Sequence, residues 1–167
     1  AAMSISNAAQ NVATRSFQFT RLVDGLPQER DSLQDAMNVE DLTGHVWMFV
    51  SPHDDDLCIG AGLLIQAAVK AGVDVQPLIV TDGCLGYCLA EHRDDIVQTR
   101  RDETLRSFEM LGVNADQITF LEFPDGGLTK FIGRRTAEPG EPEFAGSTGL
   151  QNAFTHSLRE LRPTRVF

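Results

Sequence analysis

The amino-acid sequence predicts an α/β fold: a Rossmann-like open sheet, mostly parallel, with helices on both faces. Apolar runs of strand length at Val46-Trp47-Met48-Phe49-Val50, 73–80 and 118–123 alternate with stretches whose apolar residues recur at helical spacing. The first run is nearly continuous, as in a strand covered on both faces. Strands alternating with helices imply parallel pairing through right-handed crossovers, and such sheets bind ligands beyond the carboxyl ends of their strands.

Residues 1–44 read as an N-terminal extension of unclear role. Within it Phe17, Phe19, Leu22 and Val23 suggest a short strand, and 31–38 a helical turn or two. From His45 the pattern sharpens, and 45–167 reads as the N-terminal part of one domain. After the first strong strand, 60–71 forms a helix with Leu63, Leu64, Ala67 and Ala68 on its apolar face and Gly72 as its left-handed stop. A strand over 73–80 follows. The next helix, 94–111, carries Val97, Thr104, Leu105, Phe108 and Leu111 on one face and stops at Gly112. Beyond the 118–123 strand, 124–149 is rich in Gly, Pro and Thr and reads as a long lid or substrate loop. A helix over 152–161 leads to Thr164-Arg165-Val166-Phe167, the start of a fourth strand. A domain ending inside a core strand would leave an exposed sheet edge, so the fold is expected to continue beyond Phe167.

Composition narrows the function classes. The chain has 167 residues, 42% hydrophobic and 23% charged, with a formal net charge of -10, and its Lys and Arg are not clustered, which argues against a nucleic-acid partner. No apolar run approaches the ~20 residues of a membrane span, and the first twenty residues lack the basic start and apolar core of a leader. Cys58, Cys84 and Cys88 are an odd number in a chain too large to need staples, so a reducing, cytoplasmic setting is expected. Cys84 and Cys88 have no second pair to complete a structural zinc site, and packing is their simpler role. Gly60-Ala61-Gly62 lacks the third glycine of a dinucleotide fingerprint at Ile65, and no Walker lysine is present.

The chemistry concentrates in Ser51-Pro52-His53-Asp54-Asp55-Asp56, directly after the first strong strand. Three adjacent carboxylates repel one another unless a cation or hydrogen-bond donors compensate, and a divalent metal is the simplest compensation. An imidazole nitrogen and a carboxylate oxygen suit zinc; a site with an open position activates water, and a neighbouring carboxylate can serve as general base. The competing reading is that these aspartates cap the following helix. On the same rim, Asp82 or the Gly83 backbone of Thr81-Asp82-Gly83 can touch substrate, with a plain turn as the alternative. Arg101 lies four residues from both Val97 and Leu105, an awkward place for an unpaired cation, so it should pair with a carboxylate or reach the site. Pro124-Asp125-Gly126-Gly127 is turn chemistry first.

Together these pieces resemble the LmbE/PIG-L-like zinc de-N-acetylases, which include the deacetylases of N-acetylglucosaminyl-phosphatidylinositol and of mycothiol biosynthesis. That family carries His-Pro-Asp-Asp-(Glu/Asp) after its first strand, and Pro52-His53-Asp54-Asp55-Asp56-Leu57 departs from it only in Asp54 for Pro. The likeness runs from about His45 to Phe167 through Thr81-Asp82-Gly83, Arg100-Arg101-Asp102-Glu103, Leu111-Gly112 and Phe123-Pro124-Asp125-Gly126-Gly127-Leu128.

The resemblance implies that His53 and Asp56 are ligands to Zn2+, or another divalent metal such as Fe2+, and that Asp55 is general base on the metal-bound water. Arg100, which has the family's Arg-x-x-Glu spacing with Glu103, joins Arg101, Asp82 and Asp125 as a candidate substrate-binding or site-organising residue. The third ligand, a His in a His-x-x-His segment, is expected beyond Phe167, on a continuation or a companion chain. His45 precedes a strand, His92 is in a loop and His156 sits mid-helix facing solvent, so none is expected to replace it. The implied activity is removal of an N-acetyl group from a small-molecule amino sugar or conjugate. An ester or phosphoester hydrolase, or a non-catalytic metal-binding fragment, are the alternatives; the exact substrate and the oligomeric state stay open.

Overall fold

Leu22-Val23-Asp24-Gly25-Leu26 turns the chain back on itself in the computed structural model, which describes residues 17–87 and 89–167; Cys88 lies outside the described residues. Asp24 and Gly25 take φ of 51° and 79°, the pair of positive values that a two-residue type I′ turn needs. They join β1 (Phe19–Val23) to β2 (Leu26–Arg30) in antiparallel register. The sequence pattern suggests only the first of these strands. A short helix, α1 (Leu33–Met37), follows, capped by Ser32 Oγ accepting the Asp35 N–H at 3.1 Å and closed by Asn38 in the left-handed region. The chain divides into units at this point, Ala1–Leu42 and Thr43–Phe167.

The second unit is the α/β body. In chain order it runs β3 (Val46–Ser51), α2 (Asp56–Lys70), β4 (Asp74–Thr81), α3 (Ile96–Leu111), β5 (Thr119–Phe123), β6 (Arg135–Thr136), β7 (Ser147–Thr148), α4 (Leu150–Leu161) and β8 (Arg165–Val166). The main sheet has the order β5-β4-β3-β8, and every neighbouring pair is parallel. Alternation along the strands gives it two apolar faces. Met48, Leu78, Val80, Leu121 and Phe123 share one cluster with Ala153, Phe154 and Leu161 of α4. Trp47, Phe49 and Ile79, at the intervening positions, are fully buried. The helices α2 and α3 contact one another. Strand order matters for function: β3 is flanked by β4 on one side and β8 on the other, so the chain's progress across the sheet reverses at β3. The carboxyl end of β3 therefore opens at a topological switch point, where α/β sheets bind ligands.

Several boundaries differ from expectation. The helix expected over 60–71 begins at Asp56 and carries Gly60 within its second turn. The last two residues of the His53–Asp56 motif thus sit at and inside the helix start. Gly72 and Gly112 do supply the left-handed stops, at φ of 81° and 87°. Val97, placed on the apolar face of α3, is 40% exposed; the buried stripe is Thr104 and Phe108. The 124–149 stretch is not structureless: it holds a 3-10 turn at Leu128–Phe131 and the small β6–β7 hairpin. Within it Arg135 forms a two-pronged ion pair with Glu141, its Nη1 2.6 Å from Oε2. Among the described residues, no helix is long and apolar enough to cross a membrane.

Candidate active site

Two buried hydroxyls fix the loop that leaves β3. Ser51 and Thr81 are the last residues of β3 and β4, and both are buried. Ser51 Oγ donates to the His53 carbonyl at 2.6 Å, and Thr81 donates from N at 3.0 Å and from Oγ1 at 2.7 Å to the Pro52 carbonyl. Both carbonyls of the turn are thereby satisfied from the sheet. Sequence reasoning missed these two residues; the available signal was a small polar side chain closing each of two otherwise apolar strands.

The turn presents His53 with carboxylates on both ring nitrogens. Nδ1 lies 3.2 Å from Asp56 Oδ2, which also accepts the His53 backbone N–H at 3.3 Å, and Nε2 lies 3.4 Å from Asp125 Oδ1. Asp125 is delivered by the loop after β5. Its N–H donates to Asp82 Oδ1 at 3.0 Å, and the same oxygen accepts the Cys84 N–H at 3.0 Å. Asp82 therefore welds the loops after β4 and β5 into one rim. Burial, followed by the hydrogen bond and charge of Asp82, pushes the Cys84 thiol up and keeps it protonated. A register shift between β4 and β5 leaves Glu122 at φ 57°, a bulge that redirects the end of β5 just before this loop.

The second cluster centres on Arg100, from α3. Its Nε donates to Asp54 Oδ1 at 2.7 Å, and its Nη2 lies 3.5 Å from Asp55 Oδ1. Partial burial opposes the guanidinium charge, but the hydrogen bond and charge of Asp54, with Asp55 and Glu103, outweigh it and hold Arg100 above the usual arginine range. Part of the repulsion among the three aspartates is thus relieved by a cation of the chain itself. Arg101 pairs instead with Glu122 at 2.7 Å and stacks over the Phe120 ring at 4.2 Å, as its place on the apolar stripe requires. Asp55 stands at the helix N-cap position but makes no side-chain capping bond, so capping does not account for it. Its side chain is 57% exposed and borders a groove of about 540 Å³ that Cys58, Glu103 and Ser107 also line.

The donor set can be tested against a metal. In a tetrahedral zinc site with bonds of roughly 2.0–2.1 Å, neighbouring ligand atoms lie about 3.3 Å apart. The 3.2 Å between His53 Nδ1 and Asp56 Oδ2 suits such a pair, and Nε2 toward Asp125 is the arrangement by which carboxylates orient metal-binding imidazoles. Among the described residues, no three His, Cys, Asp or Glu side chains come together to hold a metal. His45 Nδ1 meets Thr164 Oγ1 at 3.2 Å, and His92 lies 3.8 Å from Glu91. His156, expected to face solvent, is half-buried and packs against Phe144.

Comparison with known proteins gives three results. A family model, PIG-L: GlcNAc-PI de-N-acetylase, matches residues 48–167. The diacetylchitobiose deacetylase of Thermococcus kodakarensis is 39% identical over 80 residues, 47% of this chain and 29% of that protein, so the chain spans less than a third of that curated relative's length. Among solved structures, a deacetylase–teicoplanin complex from teicoplanin biosynthesis superposes with a TM-score of 0.51 at 18% identity, over 72% of this chain and 56% of that one. The N,N'-diacetylchitobiose deacetylase of Pyrococcus horikoshii with its inhibitor gives 0.46 at 22%, over 75% and 40%. The former likeness speaks for the fold.

Proposed function

The chain belongs to the PIG-L family of GlcNAc-PI de-N-acetylases, and on that premise we propose that it is a metal-dependent hydrolase removing the N-acetyl group of an amino sugar or sugar conjugate. The observation that carries this reading is the pairing of His53 Nδ1 with Asp56 Oδ2 at 3.2 Å, beside the exposed carboxylate of Asp55, at the sheet's switch point. His53 and Asp56 would hold zinc or another divalent ion such as Fe2+, with a histidine on a continuation or companion chain as third ligand. When bound, such an ion supplies Lewis acidity, lowering the pKa of water toward ~7 and stabilising negative charge on the acyl oxygen.

The chain's own residues do the rest. Asp55 takes a proton from water as the new carbon–oxygen bond forms at the acyl carbon. The carbon–nitrogen bond then breaks, and Asp55 returns the proton to the departing nitrogen, leaving acetate and a free amine. Asp125 keeps the His53 ring turned with Nδ1 toward Asp56. Arg100 and Asp125 are the proposed substrate contacts. Asp82 and Arg101, committed to backbone N–H groups and to Glu122, are proposed to organise the rim instead.

De-N-acetylation of GlcNAc-PI and deacetylation of diacetylchitobiose, the relatives' activities, favour an amide over an ester or phosphoester. The lack of a third converging donor among the described residues favours, as a second reading, a metal-binding segment that needs its companion to act. The cytoplasm is the proposed compartment, from the odd cysteine count.

Elemental analysis of the purified protein, paired with acetate release from N-acetylated sugars, tests the reading. Near-stoichiometric zinc or iron is expected, lost on Asp56→Ala. Asp55→Asn should keep the metal while turnover falls by about 10²–10⁴-fold. Unchanged turnover in that variant, or no metal after reconstitution, overturns the reading.

A further inference from the structure

We propose that Asp54 and Arg100 form a positioning lock that holds the His53–Asp56 turn in ligating register, a role for Asp54 distinct from metal binding and from catalysis. The proposal rests on the reading of His53 and Asp56 as metal ligands. Asp54 differs from its neighbours in the motif: its side chain is 12% exposed, against 57% for Asp55 and 49% for Asp56. It points away from solvent, onto a guanidinium 46 residues further along the chain. Both Nε and Nη2 of Arg100 close on its Oδ1, so the turn between β3 and α2 is tied to α3. In this sheltered setting the attraction exceeds that of a surface pair.

The loop after β4 is cut to admit this cation. A Cβ on Gly86 would sit 2.7 Å from Arg100 Nη1, and one on Gly83 would sit 3.1 Å from Nε and 3.4 Å from Asp54 Oδ1. Gly83 also adopts φ 67°, which side chains resist. Gly86 has no such backbone demand, and the atoms a Cβ there would meet all belong to Arg100. Asp54 lies in the turn between the two ligands, so fixing its side chain restricts the backbone that sets the His53 Nδ1 to Asp56 Oδ2 separation. The same guanidinium reaches Asp55 at 3.5 Å and steadies that carboxylate while leaving it open to the groove. The lock is an additional role for Arg100, beside its proposed contact with substrate.

The test is a double-mutant cycle with Asp54→Ala, Arg100→Ala and the pair. Zinc affinity is read by competition with a chromophoric chelator. Amide exchange of the His53 N–H, which donates to Asp56 Oδ2, is read in metal-free protein. Each single variant should lose about 10–100-fold in zinc affinity, as when partners of metal ligands are removed, and the double variant should lose no more than either. Protection of the His53 amide should fall in all three. Asp54→Asn, which removes only the charge, serves where the alanine variants fold poorly and should shift both readouts the same way. Unchanged His53 protection, or additive losses, overturns the lock. Wild-type protein that binds no zinc defeats the metal reading instead, while the exchange measurement still decides whether the lock exists.

Discussion

His53 faces a carboxylate with each ring nitrogen, and a metal on the Asp56 side would require the tautomer that carries its proton on Nε2. With Nε2–H directed to Asp125, Nδ1 keeps a lone pair on the Asp56 side, the form a metal requires. Asp125→Asn should therefore lower zinc affinity by about 10–100-fold in the chelator competition while leaving the melting temperature nearly unmoved. An unaltered affinity would remove Asp125 from the ligand's support. At this scale the sequence was informative about identity and poor about commitment. The spacing of His53, Asp55 and Asp56 stands out in any reading, because imidazole and carboxylates seldom crowd behind an apolar strand without reason. Nothing in the spelling of Asp54 says that it turns toward Arg100, since that pairing spans 46 residues and depends on the loop glycines between. The choice of Arg101 for Glu122 was half legible: its stripe position demanded a partner without naming one.

At the scale of the element, the sequence pattern located β3, β4, β5, α3 and α4 to within a few residues, because the strands are mostly apolar and buried and Gly112 marks the stop of α3. It failed where burial is slight. The β1–β2 hairpin carries mostly exposed side chains, so its few apolar residues suggested the first strand and nothing in the periodicity marked the second. The start of α2 was misplaced because the polar Asp56 and Gly60 read as loop. The small hairpin in 124–149 is held by charge, which periodicity cannot see. The hydrogen bond from Arg135, then that of the Glu138 N–H, lowers the Glu141 carboxyl from its ordinary 4.5 to about 2. Because the folded value is the lower one, this stabilisation is complete above the ordinary carboxylate range and fades as pH falls through about 2. A carbon-detected NMR titration of Glu141 should show its midpoint near that value, moving up toward 4.5 in Arg135→Ala. A midpoint already near 4.5 in the wild type would mean the clasp does not form in solution.

For the molecule as a whole, alternation of strand and helix was enough to anticipate a parallel sheet, while its strand order was not written in any segment. That β8 returns to the far side of β3 follows from α4 covering the opposite face, a long-range packing outcome. The order is what makes the end of β3 a crevice, so the site's location is a property of topology as much as of the His53 motif. The same strand carries the chain's single tryptophan, Trp47, fully buried with its ring 5.2 Å from that of Phe167. Light absorbed at Trp47 is therefore emitted from a dry setting, on the strand whose last residue, Ser51, holds the site's turn. Its fluorescence should be blue-shifted and scarcely quenched by acrylamide until the sheet opens, then move red in one step with loss of the fold. Every variant discussed above can thus be weighed optically, without label or substrate, for whether a lost function is a lost structure.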